Sequence, residues 1–169
     1  MATTQMDVTI SKTELACLTT CALLLLSYHI YLLYNIRKHG ERTIFGISRA
    51  AKRKWLLNMM KKKNDVAIIQ GLRNQVMAST FLASTAVSIS SALAAFASRT
   101  PTSHHTSLHL LPLLTTHLLT FFLFTQSIRY YNHLMFLAES DVWDEFNVDG
   151  SGWKMLDNAG MFFTLGLRG

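Results

Sequence analysis

The sequence predicts an all-α membrane protein in which three transmembrane helices and a basic interfacial helix build an oligomeric helical bundle. Three observations carry this. Residues 15–34, 74–98 and 108–128 contain no Asp, Glu, Lys or Arg, and each is long enough to cross a hydrocarbon layer of about 30 Å as a helix. Basic residues crowd into the segment between the first two stretches. The polar residues inside the stretches recur at helical spacing, and polar groups at membrane depth are costly unless they have a partner or a purpose.

The elements follow in chain order. Span 1 covers about 13–35. Ser11 and Glu14 form a capping-box pattern, so a helix starts near Lys12. The residues ahead of it, with Asp7 and Glu14 beside Lys12, are not basic, and the apolar run exceeds the core of a signal peptide. Cys17 and Cys21 sit one turn apart and read as small packing residues.

Next comes a basic loop, 36–71. Of 16 Lys and Arg in the chain, eleven fall in 35–73 (Arg37, Lys38, Arg42, Arg49, Lys52, Arg53, Lys54, Lys61, Lys62, Lys63, Arg73), opposed by Glu41 and Asp65. The positive-inside rule places this loop in the cytosol, the N-terminus in the lumen or outside, and the C-terminus in the cytosol. Within it, Ile47, Ala51, Trp55 and Met59 repeat every four residues with Leu56 beside them, a basic amphipathic helix over 47–63. Such a helix lies outward against anionic lipid headgroups. A loop this short lacks a nucleic-acid-binding fold.

Asp65 is placed to cap a helix running without a break into span 2, 72–97. If continuous to Ala97 it is about 50 Å long, more than the bilayer core. Span 3 covers about 108–129, carries Pro112 early, and leaves the membrane at Arg129, Tyr130 and Tyr131. The tail, 130–169, inverts the charge: Glu139, Asp141, Asp144, Glu145, Asp149 and Asp157 face Lys154 and Arg168. Its glycines give it the composition of a loop, and Met161–Leu167 is apolar but too short to span. Residues 1–169 read as a single membrane domain.

Span 2 holds the strongest polar signal. Thr80, Ser84, Ser88 and Ser91 recur at intervals of four, four and three, which puts them on one face, and Asn74 and Gln75 stand at the basic entrance. Two readings remain open. Small polar residues let helices approach closely and bond to one another, and the same hydroxyls can line a pore. Span 3 adds Thr115, Thr116, Thr120, Thr125 and Gln126, with His109 and His117 inside it, read as buried and hydrogen-bonded. His104, His105 and His109 have at most weak zinc-binding spacing, so no metal site and no cofactor is expected.

Residues 145–150, EFNVDG, follow the opening of a calcium loop, but the first ligand is Glu and the twelfth position is Leu156. The bidentate carboxylate is missing, and the segment reads as an acidic turn. No phosphate loop, zinc-protease motif or nucleophile elbow occurs, and an enzyme is not expected.

Several stretches carry a resemblance: Ile44–Ile47 through Arg53–Trp55, then Gly71 through Thr85, then Arg129–His133, then Asn158–Gly160 through Leu165–Gly169. From about residue 13 onward the chain resembles a family of multi-pass membrane proteins of unknown function from plants and bacteria. The Gly71–Thr85 block is the most specific part. The family's pattern places a fourth span beyond Gly169, so a neighbouring copy is expected to complete the bundle here. The chain is also similar to WeiTsing-like plant channels. That likeness implies a homopentameric, calcium-permeable cation channel of the endoplasmic reticulum with a role in plant defence.

The leading expectation is therefore a homo-oligomeric, cation-permeable channel. Asn74, Gln75, Thr80, Ser84, Ser88 and Ser91 line its pore. Carboxylate rings at the mouths come from Asp7 and Glu14 on the lumenal side and from Glu139, Asp141, Asp144 and Glu145 on the cytosolic side. The alternative is a non-conducting membrane adaptor that holds anionic lipid and recruits a protein partner through its acidic tail. A lipid-modifying enzyme is a weaker third reading, since carboxylates do not converge at one membrane depth.

Overall fold

A computed structural model describes residues 12–99, 104–139 and 150–168, and among them the regular elements are all helices. Among the described residues five α-helices succeed one another: α1 Lys12–Lys38, α2 Ile44–Lys61, α3 Asp65–Arg99, α4 His104–Glu139 and α5 Ser151–Gly166. Three of them hold stretches long and apolar enough to cross a membrane, Leu15–Lys38, Asp65–Arg99 and Leu110–Ala138.

The local chemistry explains the boundaries. A 3₁₀ turn at Gly40–Arg42 ends in Thr43, whose hydroxyl accepts from the Gly46 amide at 3.1 Å and so caps α2. Helix α2 closes at Lys62, and Lys63 adopts the left-handed conformation with φ of 50°. That reversal folds α2 back beside α3. The cap of α3 is Asn64, whose Oδ1 accepts from the Ala67 amide at 3.1 Å, and Asp65 is the first helical residue. The expected Asp65 cap is thus displaced by one position.

Helices α3 and α4 form an antiparallel hairpin, the most extensive contact in the fold. Ser79, Ala83, Ala86 and Ser90 are its buried face on α3. Their spacing of four, three and four keeps them on one side, and their size brings the backbones close.

Helix α4 continues past Arg129 to Glu139. One expectation is corrected: the described part of the tail is not a loop, because residues 151–166 are a helix laid antiparallel on the end of α4. Gly152, Leu156, Ala159 and Gly166 form its buried stripe. Ser127 Oγ donates to the Ala159 carbonyl at 2.9 Å, Tyr130 stacks on Phe162, and Phe124 meets Phe163 edge to face. The glycines are packing residues in this helix. Gly150 ahead of it is a true turn glycine, with φ of 73°.

The core lies at the basic end. Leu56 of α2, Ile68 and Leu72 of α3, Tyr131 and Leu134 of α4, and Leu156 and Ala159 of α5 form one buried cluster. Trp55, Met59 and Val76 pack around it. Helix α1 contributes none of these residues. No residue of its most apolar 18-residue window is buried, and it meets the rest near Leu32, Leu33 and Ile36, which face Phe45, Met161 and Leu165.

Candidate functional site

Two regions carry polar chemistry. The first is the hydroxyl stripe of α3. Thr80, Ser84, Ser88 and Ser91 are all exposed, on a face about a third of a turn round the helix from the one packed on α4. Thr80 Oγ1 donates to the Val76 carbonyl, Ser84 Oγ to Thr80 and Ser88 Oγ to Ser84, each at 2.9 Å. Each of these hydroxyls spends its proton on its own helix, and the oxygen lone pairs remain to face outward. Asn74 is exposed and Gln75 half-buried at the basic end of the same helix.

Of the expected acidic mouths, Asp7, Asp141, Asp144 and Glu145 lie outside the described residues. Glu14 stands in the first turn of α1 and Glu139 ends α4, and their side-chain surroundings lie outside the description too. The same holds for the side chains of His104, His105 and His109, and for the EFNVDG turn before Gly150. His117 is half-buried, with Nδ1 2.7 Å from the Leu113 carbonyl.

The second region is the junction of α2, α4 and α5. Arg49, Lys52 and Arg53 occupy positions i, i+3 and i+4, one face of α2. That face turns to α5 and the end of α4. Asp157 of α5 pairs with both arginines: Arg49 Nη2 is 2.5 Å from Oδ2, Arg53 Nε donates to Oδ1 at 3.1 Å, and Arg53 Nη2 also reaches Oδ2. Arg53 further lies over the Trp153 ring, 5.9 Å from its centroid.

Lys52 takes a different partner. Its Nζ donates to the Tyr131 hydroxyl at 3.0 Å and sits 5.7 Å from that ring's centroid. Burial pushes the Lys52 ammonium below its usual pKa. Two of the three cations thus share one carboxylate, and Lys52 is left with a neutral oxygen.

Beside Lys52 opens a cavity of about 460 Å³. Ala51, Lys52, Trp55, Gly71, Leu72, Asn74, Gln75, Tyr131 and Leu156 line it, so α2, α3, α4 and α5 all contribute. The Trp55 ring lies flush on Gly71, where a Cβ would come within 2.4 Å of the ring. Glycine at 71 therefore sets the position of this wall.

Residues 16–169 match the family described as "Protein of unknown function, DUF599". The chain belongs to the DUF599 family. No curated protein and no solved structure matches it. The DUF599 match takes in α2 to α5 whole and nearly all of α1.

Sequence reasoning named the stripe and missed the junction. Lys52, Tyr131 and Asp157 were read as a headgroup contact, an interface anchor and a tail charge. A signal was present: Gly152, Leu156, Ala159, Phe163 and Gly166 recur at four, three, four and three, a helical stripe hidden by its glycines.

Proposed function

We propose that this DUF599 protein is a homo-oligomeric, cation-permeable channel in which α3 lines the pathway. The observation that supports it is the donor state of the α3 stripe. Thr80, Ser84 and Ser88 already give their protons to the helix, so outward they offer acceptor oxygens alone. Such a surface can replace part of a cation's hydration shell and gives an anion no proton to bind. One copy cannot enclose a pathway. Symmetry-related copies meeting through the unburied α1 with their stripes turned to a shared axis would, with the acidic residues of each copy becoming rings.

In this reading the basic end faces the cytosol, which leaves the N-terminus lumenal and the C-terminus cytosolic. Five copies, calcium permeation, the endoplasmic reticulum and a part in plant defence rest on the likeness to WeiTsing-like channels alone. Currents from purified protein in planar bilayers test the function. Reversal potentials under asymmetric salt should report cation preference, and anion preference would overturn the reading.

A non-conducting adaptor is the second reading, favoured by the surplus positive charge at the α2 junction. It predicts retention on anionic vesicles and silence in planar bilayers.

A further inference from the structure

The cavity beside Lys52 combines three properties that the channel reading does not require, and a lipid site there would give the adaptor reading its ligand. It has one cationic group, three neutral polar groups in Tyr131, Asn74 and Gln75, and apolar walls in Trp55 and Leu72. Its size falls within the range of small-molecule sites, roughly 300–1,000 Å³. It also lies where α3 changes character: Arg73 is the last charged residue before 25 uncharged ones, 74–98. That is the depth of lipid headgroups when α3 crosses a bilayer.

We infer that this cavity is a binding site for one anionic phospholipid. Its phosphate meets Lys52 Nζ and the Tyr131 hydroxyl, and its glycerol and upper acyl carbons lie along Trp55 and Leu72. Asp157 is engaged by Arg49 and Arg53, while Lys52 meets a hydroxyl. A partly buried ammonium beside a neutral oxygen gains most from an anion that brings its own charge. Tyr131 can turn its proton toward the phosphate while still accepting from Lys52.

Trp55 forms a flat apolar wall because Gly71 lets its ring lie against α3. Free phosphate has no use for that wall, and a neutral lipid has no use for Lys52. Asn74 and Gln75 offer amides to glycerol oxygens at the same level. The site does not depend on conduction, so it can stand or fall apart from the channel reading.

The test uses the full chain purified in a non-ionic detergent and titrated with dihexanoyl phosphatidic acid, dihexanoyl phosphatidylcholine and inorganic phosphate. Calorimetry should give one saturable site per chain for phosphatidic acid, at least about tenfold tighter than the other two. Lys52→Met should weaken phosphatidic acid by about tenfold or more, and Lys52→Arg should restore it to within about threefold. Ala51→Trp, which fills the cavity mouth from the exposed side of α2, should abolish the saturable phase while helicity by circular dichroism is unchanged. Inorganic phosphate binding as tightly as phosphatidic acid overturns the inference, as does equal binding of phosphatidylcholine. Wild-type affinity in a helical Lys52→Met or Ala51→Trp chain overturns it equally.

Discussion

Helices α1 and α5 stand at opposite ends of the chain and behave in opposite ways. Helix α1 is 27 residues long, with a run of four leucines, Leu23 to Leu26, and nothing in its most apolar window is buried. Helix α5 is 16 residues long, carries Lys154 and Asp157, and buries a four-residue stripe against α4. The difference has a physical cause. Lipid tails are as apolar as leucine, so a leucine-rich helix gains little by leaving lipid for protein. Around α5 the chain is at the basic end, where water is the competitor. There burial of Leu156, Leu56 and Tyr131 draws on the full hydrophobic effect, roughly 25 cal/mol per Å². Hydropathy therefore says which solvent a helix prefers, and packing follows from what that solvent would otherwise touch.

The contrast predicts a graded set of stability effects in detergent-solubilised protein. Leu156→Ala opens a cavity in the cluster around α5 and should cost about 2–5 kcal/mol. Its unfolding midpoint, read by circular dichroism, should drop more than that of any single α1 variant. Gly71→Ala pushes a methyl into the Trp55 ring and should cost about 1–3 kcal/mol, with a shift in tryptophan fluorescence as the ring moves.

Asp157→Asn removes the carboxylate shared by two arginines. Their side chains are 45% and 37% exposed, so the loss should be about 1–2 kcal/mol, below the range for fully buried pairs. Salt titration checks it, since a solvent-screened pair weakens as ionic strength rises. Leu24→Ala in α1 should move stability by no more than about 0.5 kcal/mol. A loss of 2 kcal/mol or more there would mean that α1 packs against protein in the folded state, and the contrast with α5 would fail.

How much of this was legible follows the same line. The three long helices were readable because each excludes charge over 20 residues or more, and no packing information is needed to see that. The unbroken run of α3 from Asp65 to Arg99 came from periodicity, which is local. The α2 helix was readable from its four-residue repeat, but not its orientation. Lys52 and Arg53 look solvent-bound until α4 supplies Tyr131 and α5 supplies Asp157, residues 79 and 104 positions away. Helix α5 was obscured because glycines are turn formers in isolation, whereas here Gly152 and Gly166 are buried in the helix and Gly166 packs against Phe124. The stripe of α3 was visible in sequence, and what the structure adds is which side of α3 is sealed.

The central proposal is that Ser84 and Ser88 face water while the flank of α3 near Ile89 faces lipid. Cysteine accessibility tests it most directly. In a chain with Cys17 and Cys21 replaced by serine, Ser84→Cys, Ser88→Cys and Ile89→Cys are reconstituted separately into vesicles. Each is then exposed to a membrane-impermeant, charged thiol reagent, which reacts with the hydrated thiolate. The account predicts modification at positions 84 and 88, with current block in planar bilayers, and protection at 89. Equal protection at all three positions would contradict it.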